Sequence, residues 1–247
     1  MLNKLSVVII CLFISMAVYA VPVGVYKNTN VSKISLLSGN TYELGDDHRE
    51  TLRFDNSNNW KYGDNFFFFE VTDPLAKGTS IYGEWSSRLS LSKVSGYGLT
   101  FGPVSDVLLA GELNMSGSGS RVYLYGLGFN IDIPGVKFFK FNTYARKDPS
   151  QPGATYQITW SWLVPFRLAN DRLKFVFGGF CDYAGRQHAL ASNFLAKPEL
   201  LLDVGNLINK KPGSVYLGVR YVYWYNKLGN KGVKESVPEA MLTWVIN

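Results

Sequence analysis

The most regular feature of this chain is an alternation with a period of two. In a strand, residues i and i+2 share a face. In "DNFFFFEVTD" (64–73), Asn65, Phe67, Phe69, Val71 and Asp73 therefore fall on one side, and Asp64, Phe66, Phe68, Glu70 and Thr72 on the other. The first side has an unbroken apolar centre suited to lipid. The second sets carboxylates at both ends of an aromatic pair, which suits a wet interior. The same split recurs in 80–93, where Ile81, Trp85, Leu89 and Leu91 oppose Tyr82, Glu84, Ser86, Arg88, Ser90 and Ser92. It recurs again in 120–133, 136–147, 172–183 and 215–226. In the last of these, Val215, Leu217, Val219, Tyr221, Tyr223 and Tyr225 oppose Tyr216, Arg220, Trp224 and Asn226.

Weaker alternation marks 30–38, 48–56, 104–115, 153–165, 193–204 and 236–246. Turn-forming stretches separate the segments: "GDD" at 45–47, "SGSGS" at 116–120, "DPSQPG" at 148–153 and "KKPG" at 210–213. Glycine and proline in "FGPVSDV" (101–107) predict a bulge or bend at that strand. The pattern predicts about twelve strands, an even number as bacterial outer-membrane barrels have. The fold class expected is all-β, a transmembrane antiparallel up-and-down β-barrel. A soluble β-sandwich is the alternative. It would pack its apolar faces together, and it does not account for tyrosine and tryptophan gathered at strand ends, where a membrane barrel carries aromatic girdles.

Composition sharpens this reading. Charged residues make up 18% of the chain and aromatics 15%, fewer charges than the quarter typical of soluble domains. After residue 20, no apolar stretch approaches the roughly 18 residues that a spanning helix requires. Residues 1–20, with Lys4, an apolar run to Val18 and the close Val18-Tyr19-Ala20, read as a cleaved secretory signal. An uncleaved anchor is the alternative. Residues 21–247 then form a single barrel domain. The formal net charge is +6, its basic residues scattered rather than clustered, so no nucleic-acid groove is expected. Cys11 leaves with the signal, and Cys181 has neither a disulfide partner nor a neighbouring ligand of metal-site spacing. His48 and His188 fall in predicted loops, without the serine that acyl hydrolysis needs beside a base. No enzyme, metal or cofactor is expected.

Several blocks resemble the Tsx-type nucleoside-specific channels of the Gram-negative outer membrane, which include the OmpK-like proteins. They are "WKYGDNFFFFEV" (60–71), "RLSLSK" (88–93), "LTFGP" (99–103), "YGLGFNIDIP" (125–134), "FNTYARK" (141–147), "VPF" (164–166), "YVYWYNKLG" (221–229) and "ESVPEAMLTWVIN" (235–247). They occur in family order. The resemblance implies a twelve-stranded barrel through whose narrow lumen nucleosides and deoxynucleosides diffuse without catalysis or energy input. It further implies outer-membrane lipid and lipopolysaccharide as surroundings, the outer-membrane assembly machinery as a partner, and loops that phage or bacteriocins exploit in some members. Loops 184–192 and 226–235 are the candidates for that last role. The chain departs from the usual barrel ending on an aromatic residue, closing Trp244-Val245-Ile246-Asn247 with Trp244 on the lipid-side face.

A nucleoside has a flat base and a polyhydroxyl sugar. Rings stack on any base, carboxylates accept from hydroxyls and amines, and arginine donates to carbonyls. Phe66, Phe68, Tyr82, Tyr144 and Trp224 are the stacking candidates. Asp64, Glu70, Glu84, Arg88, Arg146 and Arg220 are the polar ones. A Glu84–Arg88 pair would either brace the wall or touch solute, and Phe66 and Phe68 would either stack on a base or fill space near a turn. A general small-solute porin would share the fold but line its pore with opposed charges rather than rings.

Overall fold

A computed structural model describes residues 18–20, 29–76, 78–169, 172–208 and 211–246. Apart from 18–20, the expected signal segment lies outside the described residues. Twelve strands form the wall: β1 (Asn30–Gly39), β2 (Arg49–Trp60), β3 (Gly63–Thr72), β4 (Ser80–Ser90), β5 (Val104–Ser116), β6 (Arg121–Ile131), β7 (Phe138–Lys147), β8 (Thr155–Leu168), β9 (Leu173–Ala184), β10 (Asn193–Asp203), β11 (Val215–Tyr225) and β12 (Lys234–Ile246). Each pairs antiparallel with its sequence neighbours, and β12 returns to β1 with Ile246 opposite Ser32, which closes the barrel. Closure leaves no strand edge unpaired, as a lipid-embedded sheet requires. Outside the wall, Val18–Ala20 pairs with Tyr97–Leu99.

Alternation sorts the side chains as the sequence predicts. On β3, Phe69 is exposed on the outer face while Phe68 and Glu70 are buried within. Phe67 and Phe69 pack outside against Phe54 of β2, with ring centroids 5.6 Å apart in both pairs. The inner face is not uniformly polar. Ala110, Val122, Leu124 and Tyr144 form one inward apolar cluster, and Leu37, Leu201 and Met241 form another.

Two local features bend the regular pattern. The strand expected over 80–93 stops at Ser90, whose hydroxyl accepts from the Lys93 N–H at 3.1 Å and caps a short helix, α1 (Leu91–Ser95). Leu91 and Ser92 therefore belong to a connection rather than to the wall. The bend expected at 101–107 is present, as a register shift between Val104 and Asp106 on β5. Both barrel rims consist of connections. One, here the terminal rim, carries the start of β1, the end of β12 and the described connecting residues 61–62, 91–103, 132–137, 169, 172, 204–208 and 211–214. The opposite rim carries 40–48, 73–76, 78–79, 117–120, 148–154, 185–192 and 226–233. Both loop stretches singled out in the sequence, and both histidines, lie at that opposite rim.

Candidate functional site: two polar centres in the lumen

The first centre lies toward the terminal rim. Register sets Asp64 directly opposite Arg88, and the guanidinium grips the carboxylate with both arms, Nε to Oδ1 at 3.0 Å and Nη2 to Oδ2 at 2.7 Å. Lys140 of β7 reaches across the lumen to the same carboxylate at 3.0 Å. Arg88 also donates to Asn130 at 2.9 Å and to Asn142 at 3.4 Å. Gly128 makes room for this network: a Cβ there would lie 2.6 Å from Asn142 Oδ1. Arg88 is 2% exposed. This is a brace across the lumen.

The second centre sits nearer the opposite rim and is built on Glu70. Its cross-strand partner Arg53 donates at 3.0 Å, Arg220 of β11 at 2.6 Å, and Lys197 of β10 lies at 3.5 Å. Arg220 is bound on its other side by Glu239, directly opposite on β12. Going round the wall through β11, β12, β1 and β2, five strand-to-strand steps separate β10 from β3. The Lys197–Glu70 contact therefore spans a chord of the barrel. Lys197 sits where the β10–β11 ladder is interrupted, with partners jumping from Ala196–Tyr223 to Glu199–Arg220 across Pro198. Opposite Pro198 stands Gly179, with φ 140°, where a Cβ would meet Lys197 O at 2.5 Å. Only glycine accepts both the angle and the approach.

The remaining part of the lumen, toward β4, β5 and β9, keeps its acids out of ion pairs. Tyr82 donates to Glu84 at 2.6 Å, and Asp182 accepts from Thr159 at 2.6 Å. Among the described residues Glu112 forms no ion pair. Nor, among them, do His, Cys, Asp and Glu side chains group in a way that could hold a metal ion.

The sequence candidates thus divide. Asp64, Glu70, Arg88 and Arg220 are brace residues. Glu84 and Arg88 do not pair with each other: Arg88 holds Asp64, and Glu84 accepts from Tyr82. Phe68 is 3% exposed, with the Arg53 guanidinium 4.3 Å over its ring. Phe66 is half-buried, 6.0 Å from Phe68, and Tyr82 stays accessible in the lumen. Tyr144 packs into the inward apolar cluster and Arg146 donates to Gln157 at 3.2 Å. Trp224 lies at the opposite mouth, donating to Asn193 at 3.3 Å beneath Lys227. Loop 40–48 leans into that mouth, with Tyr42 bonded to Glu239 and the Glu43 N–H to Glu235. Burial, followed by the Glu239 charge, pushes the Tyr42 hydroxyl up. Burial holds Lys227 below the usual lysine range although it pairs with Glu235. Sequence reasoning missed Arg53, Glu112, Lys197 and Glu239. Their only signal was an inward position on a predicted strand.

A closed, aromatic-faced antiparallel barrel with a charged lumen is the architecture of an outer-membrane channel, and comparison with known families decides which. The family model described as "Nucleoside-specific channel-forming protein, Tsx" matches residues 44–234. The chain belongs to this family. Tsx-family membership and the closed barrel place it in the bacterial outer membrane, in a family of channels rather than of enzymes. It is 28% identical over 105 residues to the outer membrane protein OmpK of Vibrio parahaemolyticus, a match covering 42% of this chain and 40% of that protein. The chain thus spans about two fifths of the length of that curated relative. Among solved structures it resembles a KdgM porin, with TM-score 0.51, 7% identity, and coverage of 89% of this chain and all of the other. It also resembles a bacterial polysaccharide outer membrane secretin, with TM-score 0.44, 9% identity, and coverage of 88% and 98%.

Proposed function

We propose that this Tsx-family barrel is a passive channel for nucleosides and deoxynucleosides. The observation that carries the reading is the division of the lumen into two parts. On the β10–β3 chord the cations are consumed by Glu70 and Glu239. Beside it, Tyr82, Glu84, Glu112 and Asp182 remain available, with Phe66 below. An uncharged solute with a flat face and a polar rim finds a ring to lie on and acceptors for its hydroxyl and amine hydrogens. Several weak contacts in series let it leave as readily as it enters.

The charged residues lining both parts favour a second reading, a general porin for small polar solutes. Single-channel current in a planar bilayer separates the two. Thymidine and adenosine block the current saturably under the first reading while glucose at equal concentration does not, and Phe66→Ala weakens the block by about 1–3 kcal/mol. If glucose acts like the nucleosides, or nothing blocks, the general-porin reading replaces the first.

A further inference from the structure

The outer wall is not equally tall all the way round. The hydrocarbon-facing band of a barrel is about 25 Å high, which at 3.3 Å per residue and the usual tilt takes roughly 10 residues. β11 supplies such a band: its 11 residues present Val215, Leu217, Val219, Tyr221, Tyr223 and Tyr225 outward. β1 presents only Ile34 and Leu36, between Ser32 and Ser38. On β2, Leu52 and Phe54 are flanked by Glu50 and Asn56.

Toward the terminal rim, where β11 carries Val215 and Leu217, the outer faces of β1–β3 carry Asn30, Ser32, Asn56, Asn58 and Asn65, and Ser87 of β4, between Trp85 and Leu89, adjoins them. These bond into one ladder across four strands. The Asn56 amide donates to Asn30 at 2.6 Å and Ser32 at 2.8 Å, Asn58 to Asn56 at 2.9 Å, Asn65 to Asn58 at 3.0 Å, and Ser87 to Asn65 at 2.7 Å. Each asparagine offers two N–H groups and two acceptor lone pairs, so the ladder leaves hydrogen-bonding capacity that hydrocarbon cannot meet. Directly below it, the turn Trp60-Lys61-Tyr62 places an exposed ammonium between two interfacial aromatics, Lys61 Nζ lying 4.9 Å over the Tyr62 ring.

We propose that β1–β3 form a short wall against which the bilayer thins. Phospholipid headgroups of the leaflet at the terminal rim settle onto the amide ladder, their ester and phosphate oxygens accepting from the remaining N–H groups of Asn30, Asn58 and Asn65 and from Lys61. The charge match supports a headgroup as occupant: the ladder adds donors and Lys61 a cation, whereas a second barrel would bring an apolar band. A hydrophobic stretch shorter than the bilayer is commonly accommodated by local thinning.

The test uses spin labels in the chain starting at Val21, with Cys181→Ser, reconstituted into dioleoylphosphatidylcholine vesicles. One label replaces Asn58 and another Leu217, each third from the terminal rim of its strand. Power saturation should find the Leu217→Cys label accessible to oxygen, as in hydrocarbon, and the Asn58→Cys label accessible to nickel chelate, as at headgroups. Oxygen accessibility at both sites overturns the proposal. So does a shielded Asn58 label with concentration-dependent spin–spin broadening, which would mean that a second copy covers the face. A second measurement leaves the ladder unlabelled. Across phosphatidylcholines of increasing chain length, the chain with Asn56→Leu, Asn58→Leu and Asn65→Leu should fold fastest in a thicker bilayer than the unsubstituted chain does. An unchanged optimum overturns the short wall.

Discussion

The two parts of the lumen solve the same electrostatic problem in opposite ways. On the β10–β3 chord, Glu70 is surrounded by Arg53, Lys197 and Arg220, and Arg220 is shared with Glu239. On the other side, among the described residues, Glu84 and Asp182 accept from hydroxyls and neither they nor Glu112 forms an ion pair. Charges satisfied by each other hold walls together and are poor at greeting a solute. Charges left to water and hydroxyls do the reverse. The difference teaches that a charged residue on a lumen face is not by that fact a binding residue; its partners decide.

The comparison breaks most visibly at Glu70. Glu70→Leu removes the carboxylate that three inward cations share, leaving Arg53 with Asp55 and Arg220 with Glu239, and should cost about 3–5 kcal/mol, read as a lower guanidinium midpoint for unfolding from detergent micelles. Asp64→Leu should cost less, about 2–3 kcal/mol, because Arg88 keeps its amide acceptors Asn130 and Asn142. If both substitutions proved silent, the centres would not be braces. Phe68→Leu removes a ring already covered by Arg53, so it should lower stability by about 1 kcal/mol and leave nucleoside block unchanged. Phe66→Ala should show the converse. Glu112→Gln should move stability least, within about 0.5 kcal/mol, yet shift the reversal potential in a salt gradient toward anions. An unmoved potential would place Glu112 off the conduction path.

Much of the fold was legible because alternation is a local signal. All twelve strand positions, the bend near Val104 and the inward direction of every candidate could be read along the chain. Two kinds of information could not. Residues four apart on a strand lie about 13 Å from each other, so the suggested Glu84–Arg88 pair was beyond reach, while Arg88 met Asp64 through cross-strand register that no single segment states. Likewise, Lys197 and Glu70 meet only because a barrel closes, and neither the sequence around Pro198 nor that around Phe68 announces the other. The end of β4 was lost for a smaller reason: Ser90 continues the alternation and also caps a helix.

The chord contact has a consequence for how the barrel is made. Glu70 and its partners Lys197 and Arg220 are separated by 127 and 150 residues along the chain, so a carboxylate matched early by Arg53 alone must wait for its other two cations until the late strands are threaded. A slip of one residue in any intervening pairing would turn inward side chains outward and take Lys197 and Arg220 away from Glu70. The hub therefore acts as a proofreading step, completed only when the whole chain has been threaded in register.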